Sequence, residues 1–435
     1  MLSVKNIKAI IICGAFGLAA TLHAQQVKKS QAGPFLLKNA TLHTITKGTY
    51  VSDILVDKEI IAEIGTNINA GSDITTIDCS GKHIYPGFID AGTRLGLSEI
   101  GSVSVTNDYS ELGDFIPHMK ALTAVNPNAV AIPVTRVNGV TTVLAKPEGG
   151  RFPGTAALID LHGYTQDQMY AGAEAVLMNF PSAGRRGRWD RRSDEDIQKD
   201  IEKGMEKLNA IWDKAVLYAA IDSLGKANQK VREDYNPQMD ALLPVVRGEA
   251  SLFIEVNTKA DIEQALKWIK DRKIKVVFTG VAEGGRVAEK LAEAKIDVIT
   301  GPVIRVPGRT EARYDDAYTN AARMQKAGVK VAIRSNDAEN VRNLPFHAAY
   351  AAAYGMGIEE ALKSITIHPA SILGVEKLYG SIEKGKIANL IITDGDPFEP
   401  KTKISSLFIR GWNIPLESRQ TLLYDEFLNR DPGLK

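Results

Sequence analysis

Metal, thiol and phosphate chemistry each need a recognisable set of side chains. The chain carries seven histidines: His23, His43, His83, His118, His162, His347 and His368. No two stand at the short spacing that turns a pair of imidazoles toward one ion, and a catalytic zinc needs three nitrogen, sulfur or carboxylate ligands. His118 in "DFIPHMKAL" and His162 in "DLHGYT" could approach a pocket, whereas His347 and His368 read as packed or capping residues. The cysteines are Cys13 and Cys79; Cys79 in "TIDCSGKH" is expected to be a buried, inert thiol. The glycine-rich "KPEGGRFPGTAAL" (146–158) lacks the lysine and hydroxyl that end a phosphate loop, and reads as a turn. The Arg185 to Arg192 stretch, "RRGRWDRR", could receive a polyanion, or pair with the acidic "SDEDIQKDIE" that follows.

Length and composition bound the rest. At 435 residues, 44% hydrophobic and 24% charged, the chain is long enough for one large domain with a smaller companion. A formal net charge of +1 gives no electrostatic case for nucleic acid or a membrane surface. The first 24 residues read as a signal peptide: Lys5 and Lys8, an apolar "AIIICGAFGLAATL", then Ala24 as the cleavage point. That run is too short to serve as a membrane anchor. The expectation is an exported protein, periplasmic or extracellular, with Cys79 as its one cysteine and so no intrachain disulfide.

The remaining chain divides by periodicity. Residues 25–85 and 378–435 hold short β-rich runs between turns, as in "FLLKNATLHTIT" and "SLFIRGWNIPLES". Residues 86–377 alternate apolar β-branched runs with helical segments, the pattern of parallel βα units. Strands are expected at 141–147, 175–181, 251–257, 275–280, 297–303 and 330–337. A long helix should start at Ser193, with an acidic first turn and Ile197, Ile201, Met205, Leu208 and Trp212 along one face. The fold class is α/β: a (β/α)8 TIM-like barrel, plus a small β-sandwich domain built by both chain ends.

Two segments carry a family resemblance. "GKHIYPGFID" (81–90) and "SITIHPASILGVEKLYGSIEKGKIANLIITDGDPFEP" (364–400) resemble the segments by which amidohydrolase-superfamily proteins start and leave their barrel. "VRNLPFHAAYAAAYGMGIEEAL" is similar to a helix of the imidazolonepropionase-like members. The resemblance implies a hydrolase of non-peptide carbon–nitrogen bonds with zinc at the barrel mouth. It also implies metal-binding histidines where this chain has Gly92 and Arg94, and others near Asn257 and Gly280. No lysine stands in "AVLMNFP", where many members bridge two ions. No metal ligands and no cofactor are therefore expected.

What remains at the mouth, on that resemblance, is Asp337 and Arg94 as catalytic candidates and Glu255, Asn257 and Arg334 as substrate-binding ones. Two carboxylates without an ion would push one another toward protonation. Arg94 is expected to stand where the ion would be and pair with Asp337 or Glu255. Such a cluster would either hold a small polar or anionic molecule or plug the old site. Two functions stay open: a weakly active or inactive hydrolase, or a non-catalytic binding protein. The latter could be a homodimer or the partner subunit of an active paralogue.

Overall fold

The computed structural model of the protein describes residues 28–69, 71–182, 191–227, 234–306 and 313–430. The proposed signal peptide and most of the arginine-rich loop lie outside these residues. Among the described residues no helix is long and apolar enough to cross a membrane.

The N-terminal strands are β1 (Phe35–His43), β2 (Thr49–Asp57), β3 (Ile60–Gly65), β4 (Thr75–Asp78) and β5 (His83–Pro86). The barrel follows with β6 (Phe88–Thr93), β7 (Val140–Ala145), β8 (Gly154–Asp160) and β9 (Tyr170–Asn179). It is completed by β10 (Ser251–Val256), β11 (Lys275–Gly280), β12 (Asp297–Thr300) and β13 (Val331–Ile333). The chain then returns to the first sheet with β14 (Leu390–Thr393), β15 (Ile404–Ile409) and β16 (Trp412–Ile414). The two chain ends meet where β14 pairs antiparallel with β5. In place of two separately bonded layers, these strands form one branched sheet: β1 pairs with β4 along its first half and with β5 along its second.

Strands β6 to β13 bond in chain order. The expected barrel is present, with one departure: β8 runs antiparallel to both neighbours. The cause is loop length. Residues 146–153 join β7 to β8, too few for the crossover of a dozen or more residues that a parallel neighbour requires. The hairpin they form sits at the mouth, and the outer wall that a crossover helix would have covered is strapped by the excursion after β6. There Thr155 donates its N–H to Met119 O (2.7 Å) and its hydroxyl to Pro117 O (2.8 Å). Ile116 donates its N–H to Phe152 O and Phe152 donates its own to Asp114 O, both at 2.9 Å, and Phe152 packs edge-on to Phe115 at 5.2 Å.

The barrel's seam, between β13 and β6, lacks a regular ladder. It is held past the strand ends by Asn336 N–H to Gly92 O (3.0 Å) and Arg94 N–H to Asp337 O (2.9 Å). Below them the buried Asp90 carboxylate accepts Ser335 N–H (3.1 Å). Burial pushes the Asp90 carboxyl up to about 6, against hydrogen bonds from Ser335 and Gly92 and the field of Arg334 that pull it down.

Alternation decides what faces inward. Ile89, Ala91, Leu144, Ala156, Leu158, Ala175, Leu177, Phe253, Val277, Ile299 and Ala332 form one buried cluster inside the barrel. A larger cluster fills the space between strands and helices. The 34-residue helix Asp194–Ala227 contributes Leu208 and Trp212 to it, and its Ile197 and Ile201 are also buried. Its start is set as expected: Ser193 Oγ accepts Asp196 N–H (3.1 Å) and donates to the Asp196 carboxylate (2.7 Å). Arg192 pairs with Asp200 at 2.6 Å.

Candidate functional site

The inward apolar layer ends where the strands reach the mouth, and the same alternation then sets a polar layer on it. Two residues beyond Leu144 is Lys146; beyond Leu177, Asn179; beyond Phe253, Glu255; beyond Val277, Thr279; beyond Ala332, Arg334. These five, with Glu148 and Asn336, line a cavity of about 260 Å³ floored by Ala91, Leu144, Leu177 and Phe253.

An ion pair occupies its centre. Arg334, 3% exposed, grips Glu255 with both terminal nitrogens, Nη1 to Oε2 at 2.9 Å and Nη2 to Oε1 at 2.7 Å. Glu255 also accepts the Thr279 hydroxyl at 2.7 Å and the Asn257 amide at 3.3 Å. Burial alone would raise the Glu255 carboxyl. The charge and hydrogen bonds of Arg334, with Lys146 and Thr279, overcome it and hold the group at about 2. Beside the pair, Lys146 Nζ lies 2.7 Å from Glu148 Oε1, and Arg94 Nη1 lies 3.4 Å from the other Glu148 oxygen. Burial and the neighbouring Arg334 lower the Lys146 pKa, while Glu148 and Glu255 oppose the shift.

Two glycines make room for this arrangement. A Cβ at Gly92 would stand 3.0 Å from Arg334 Cδ and 3.5 Å from Lys146 Cδ. One at Gly280, whose φ is +81°, would stand 2.5 Å from both Glu255 Oε1 and Asn257 Oδ1. The Arg334 and Glu255 side chains thus fill the space that larger residues would need at positions 92 and 280.

Two sequence expectations are corrected. Arg94 pairs with neither Asp337 nor Glu255 through its side chain: its guanidinium turns to Glu148 and lies 5.0 Å over the Tyr109 ring. The cation on Glu255 is Arg334. Asp337 does not line the cavity. Its Oδ1 accepts the N–H groups of Ala338, Glu339 and Asn340 at 2.7–3.2 Å, which hold its carboxyl below the usual range against burial. Its neighbour Asn336, at φ +52°, faces the cavity instead.

The histidines also differ. His43 Nε2 and His83 Nδ1 do meet, at 2.9 Å, because parallel pairing of β1 with β5 sets them side by side. They lie in the terminal sheet, stacked on Tyr85. His162 follows the reversed β8 to the barrel floor, 5.8 Å from Trp412, and neither it nor His118 lines the cavity. His347 is packed, its Nδ1 accepting Ile304 N–H at 3.0 Å, and His368 bonds Val331 O. Cys79 is buried, which pushes its thiol up to about 11.

The residues present do not suit a divalent ion. Glu255 is committed to Arg334, and the free polar ends around it belong to Lys146 and to amides. Among the described residues no three His, Cys, Asp or Glu side chains gather as metal ligands. Chemically the cavity lining offers two cations, Lys146 and Arg334, against the carboxylates of Glu148 and Glu255; Arg94 pairs with Glu148 but does not line the cavity. Reading from Leu144 and Leu177 two residues onward would have found Lys146 and Asn179, which the sequence expectations omit.

A family model described as the amidohydrolase family matches residues 254–414. Amidohydrolase tasK of Hapsidospora irregularis is 20% identical over 386 residues, 80% of this chain but 38% of that protein, so the chain spans well under half of it. Imidazolonepropionase of Symbiobacterium thermophilum is 23% identical over 359 residues, 76% of this chain and 79% of that one. The crystal structure of an amidohydrolase from Thermotoga maritima MSB8 superposes with a TM-score of 0.76 and 27% identity, covering 88% of this chain and 99% of that chain.

Proposed function

Because the chain belongs to the amidohydrolase superfamily, we propose that it is an exported member in which a side-chain ion pair replaces divalent-ion chemistry. On this reading it is a weakly active or inactive hydrolase of non-peptide carbon–nitrogen bonds that holds a small polar or anionic molecule at the mouth. The observation that carries the reading is the Arg334–Glu255 pair, seated in the room left by Gly92 and Gly280. Residual hydrolysis would need Arg94 to polarise a carbonyl and Asp337 to take a proton from water. Asp337 is a weak base there, with three backbone N–H groups on one oxygen, and Arg94 shares its charge with Glu148. Without an ion, carbonyl polarisation worth several kcal/mol is forgone. Arg334 and Glu255 then orient the molecule rather than transform it, and Asn257, outside the lining, acts through its bond to Glu255.

A second reading, a partner subunit or a homodimer, draws support from the helix Arg419–Leu428. Its Leu423, Tyr424, Phe427 and Leu428 are 43–65% exposed and form an apolar stripe.

The test is elemental analysis of the purified protein, followed by assay of N-acyl amino acids and hydantoin-like rings with and without added zinc. The expected outcome is no stoichiometric zinc and turnover that zinc does not restore. One tightly bound zinc per chain together with turnover overturns the reading.

A further inference from the structure

We propose that Lys146 is a carbonyl-reactive amine, and that the mouth captures a small 2-oxo acid as a Schiff base on its Nζ. This rests on the reading that the mouth holds side-chain cations in place of an ion, and adds a reaction to it.

Four observations support the assignment. Lys146 stands at the C-terminal end of a barrel strand, where reactive groups of this architecture sit, and its side chain is only 11% exposed. It lines the cavity with Nζ bonded to Glu148 at 2.7 Å, which leaves it donor capacity for a ligand. A permanently charged arginine lies against it: both side chains converge on the space above Gly92, and Arg334 is itself pinned by Glu255. A desolvated lysine beside a second cation is one of the arrangements that free an amine for nucleophilic attack. The depressed Lys146 pKa has the same origin, burial first and Arg334 second. The occupant's chemistry follows from charge and size. Lys146 and Arg334 are the cations that line the cavity and could face a carboxylate next to the ketone, and about 260 Å³ admits a molecule of a few carbon atoms.

The step balances within the site. Lys146 passes a proton to Glu148, and the free amine attacks the ketone carbon to form the C–N bond. A proton then moves from nitrogen to the alkoxide, giving the carbinolamine. Glu148 returns its proton to that hydroxyl, which departs as water while the nitrogen lone pair closes the C=N bond. The product is a protonated imine, and Glu148 is again a carboxylate.

The experiment uses the full mature protein with pyruvate, then borohydride, then peptide mapping by mass spectrometry. The zinc content of the same sample keeps a failure of this proposal distinct from a failure of the metal-free reading. The expected result is one reduced adduct per chain, on the Lys146 peptide, formed well before any on exposed Lys47 or Lys226, whose side chains are 65% and 68% exposed. Acetone, with the same three carbons but no carboxylate, should label Lys146 more slowly relative to Lys47 and Lys226. Lys146→Arg should abolish the adduct, and Glu148→Gln should slow its formation by about a hundredfold. An unlabelled Lys146 in the wild-type protein, or labelling no faster than at Lys47 and Lys226, overturns the assignment. Equal labelling by acetone overturns the anionic preference.

Discussion

The barrel has a buried acidic network at each end, and the two are built differently. At the floor, Asp160 is fully buried and both carboxylate oxygens are bonded. Its Oδ1 accepts Thr142 Oγ1 (2.8 Å) and Asn389 Nδ2 (2.7 Å), and its Oδ2 accepts the Tyr379 hydroxyl (2.9 Å), with Arg410 at 3.5 Å. Burial raises the Asp160 carboxyl, and these partners pull it back in part. Arg410 continues to Glu59 at 2.6 Å, so the network ties barrel to terminal sheet. The mouth network is incomplete by contrast. Lys146 has spare donors, and Arg334 Nε and Asn336 Oδ1 are buried without a partner. A saturated network holds a fold together, whereas one with unmet donors and acceptors retains capacity for a ligand.

The largest separation between the two ends should come from Arg334→Met. It strands Glu255 with its charge, and breaking such a pair costs about 3–5 kcal/mol in chemical denaturation. Adding Glu255→Leu to that variant should recover most of the loss, since an apolar replacement of both partners is often neutral. The pH response sharpens the point. Glu255 is depressed to about 2, so its contribution is present above the unfolded value near 4.5 and disappears as pH falls toward 2. The stability gap between wild type and Glu255→Gln should be flat from about pH 5 to 8 and close below that range. At the floor, Asp160→Asn keeps the shape but misorients donors, for a loss of about 1–3 kcal/mol and no change in ligand binding at the mouth. The smallest effect is expected for Asp337→Asn, about 1 kcal/mol, because its carboxylate holds only local backbone N–H groups. A loss of pyruvate labelling in Asp337→Asn would show that this turn residue also serves the cavity.

Much of this was legible in the sequence. The strands around Val143, Ile254, Phe278 and Ile299 announced themselves as short β-branched runs, and Ser193 marked the long helix by its acidic first turn. The run "GTAALID" of β8 carried no sign of direction; only the shortness of residues 146–153 betrayed its reversal. Glu255 and Arg334 were both recognisable as mouth residues, but their pairing across 79 positions depends on space at Gly92, which composition does not reveal. Asp337 was misjudged because the left-handed turn at Asn336 advances the inward direction by one residue. His43 and His83 escaped notice because their closeness is a matter of strand register, invisible at a separation of 40.

The reversed β8 also constrains how such a barrel can change over time. Its outer face is covered by a strand-like strap from residues 114–119 rather than by a helix. Trimming that strap would bare the hairpin, and restoring a conventional crossover would collide with it. The two departures are structurally coupled, and the placement of the lysine at the hairpin's base depends on both.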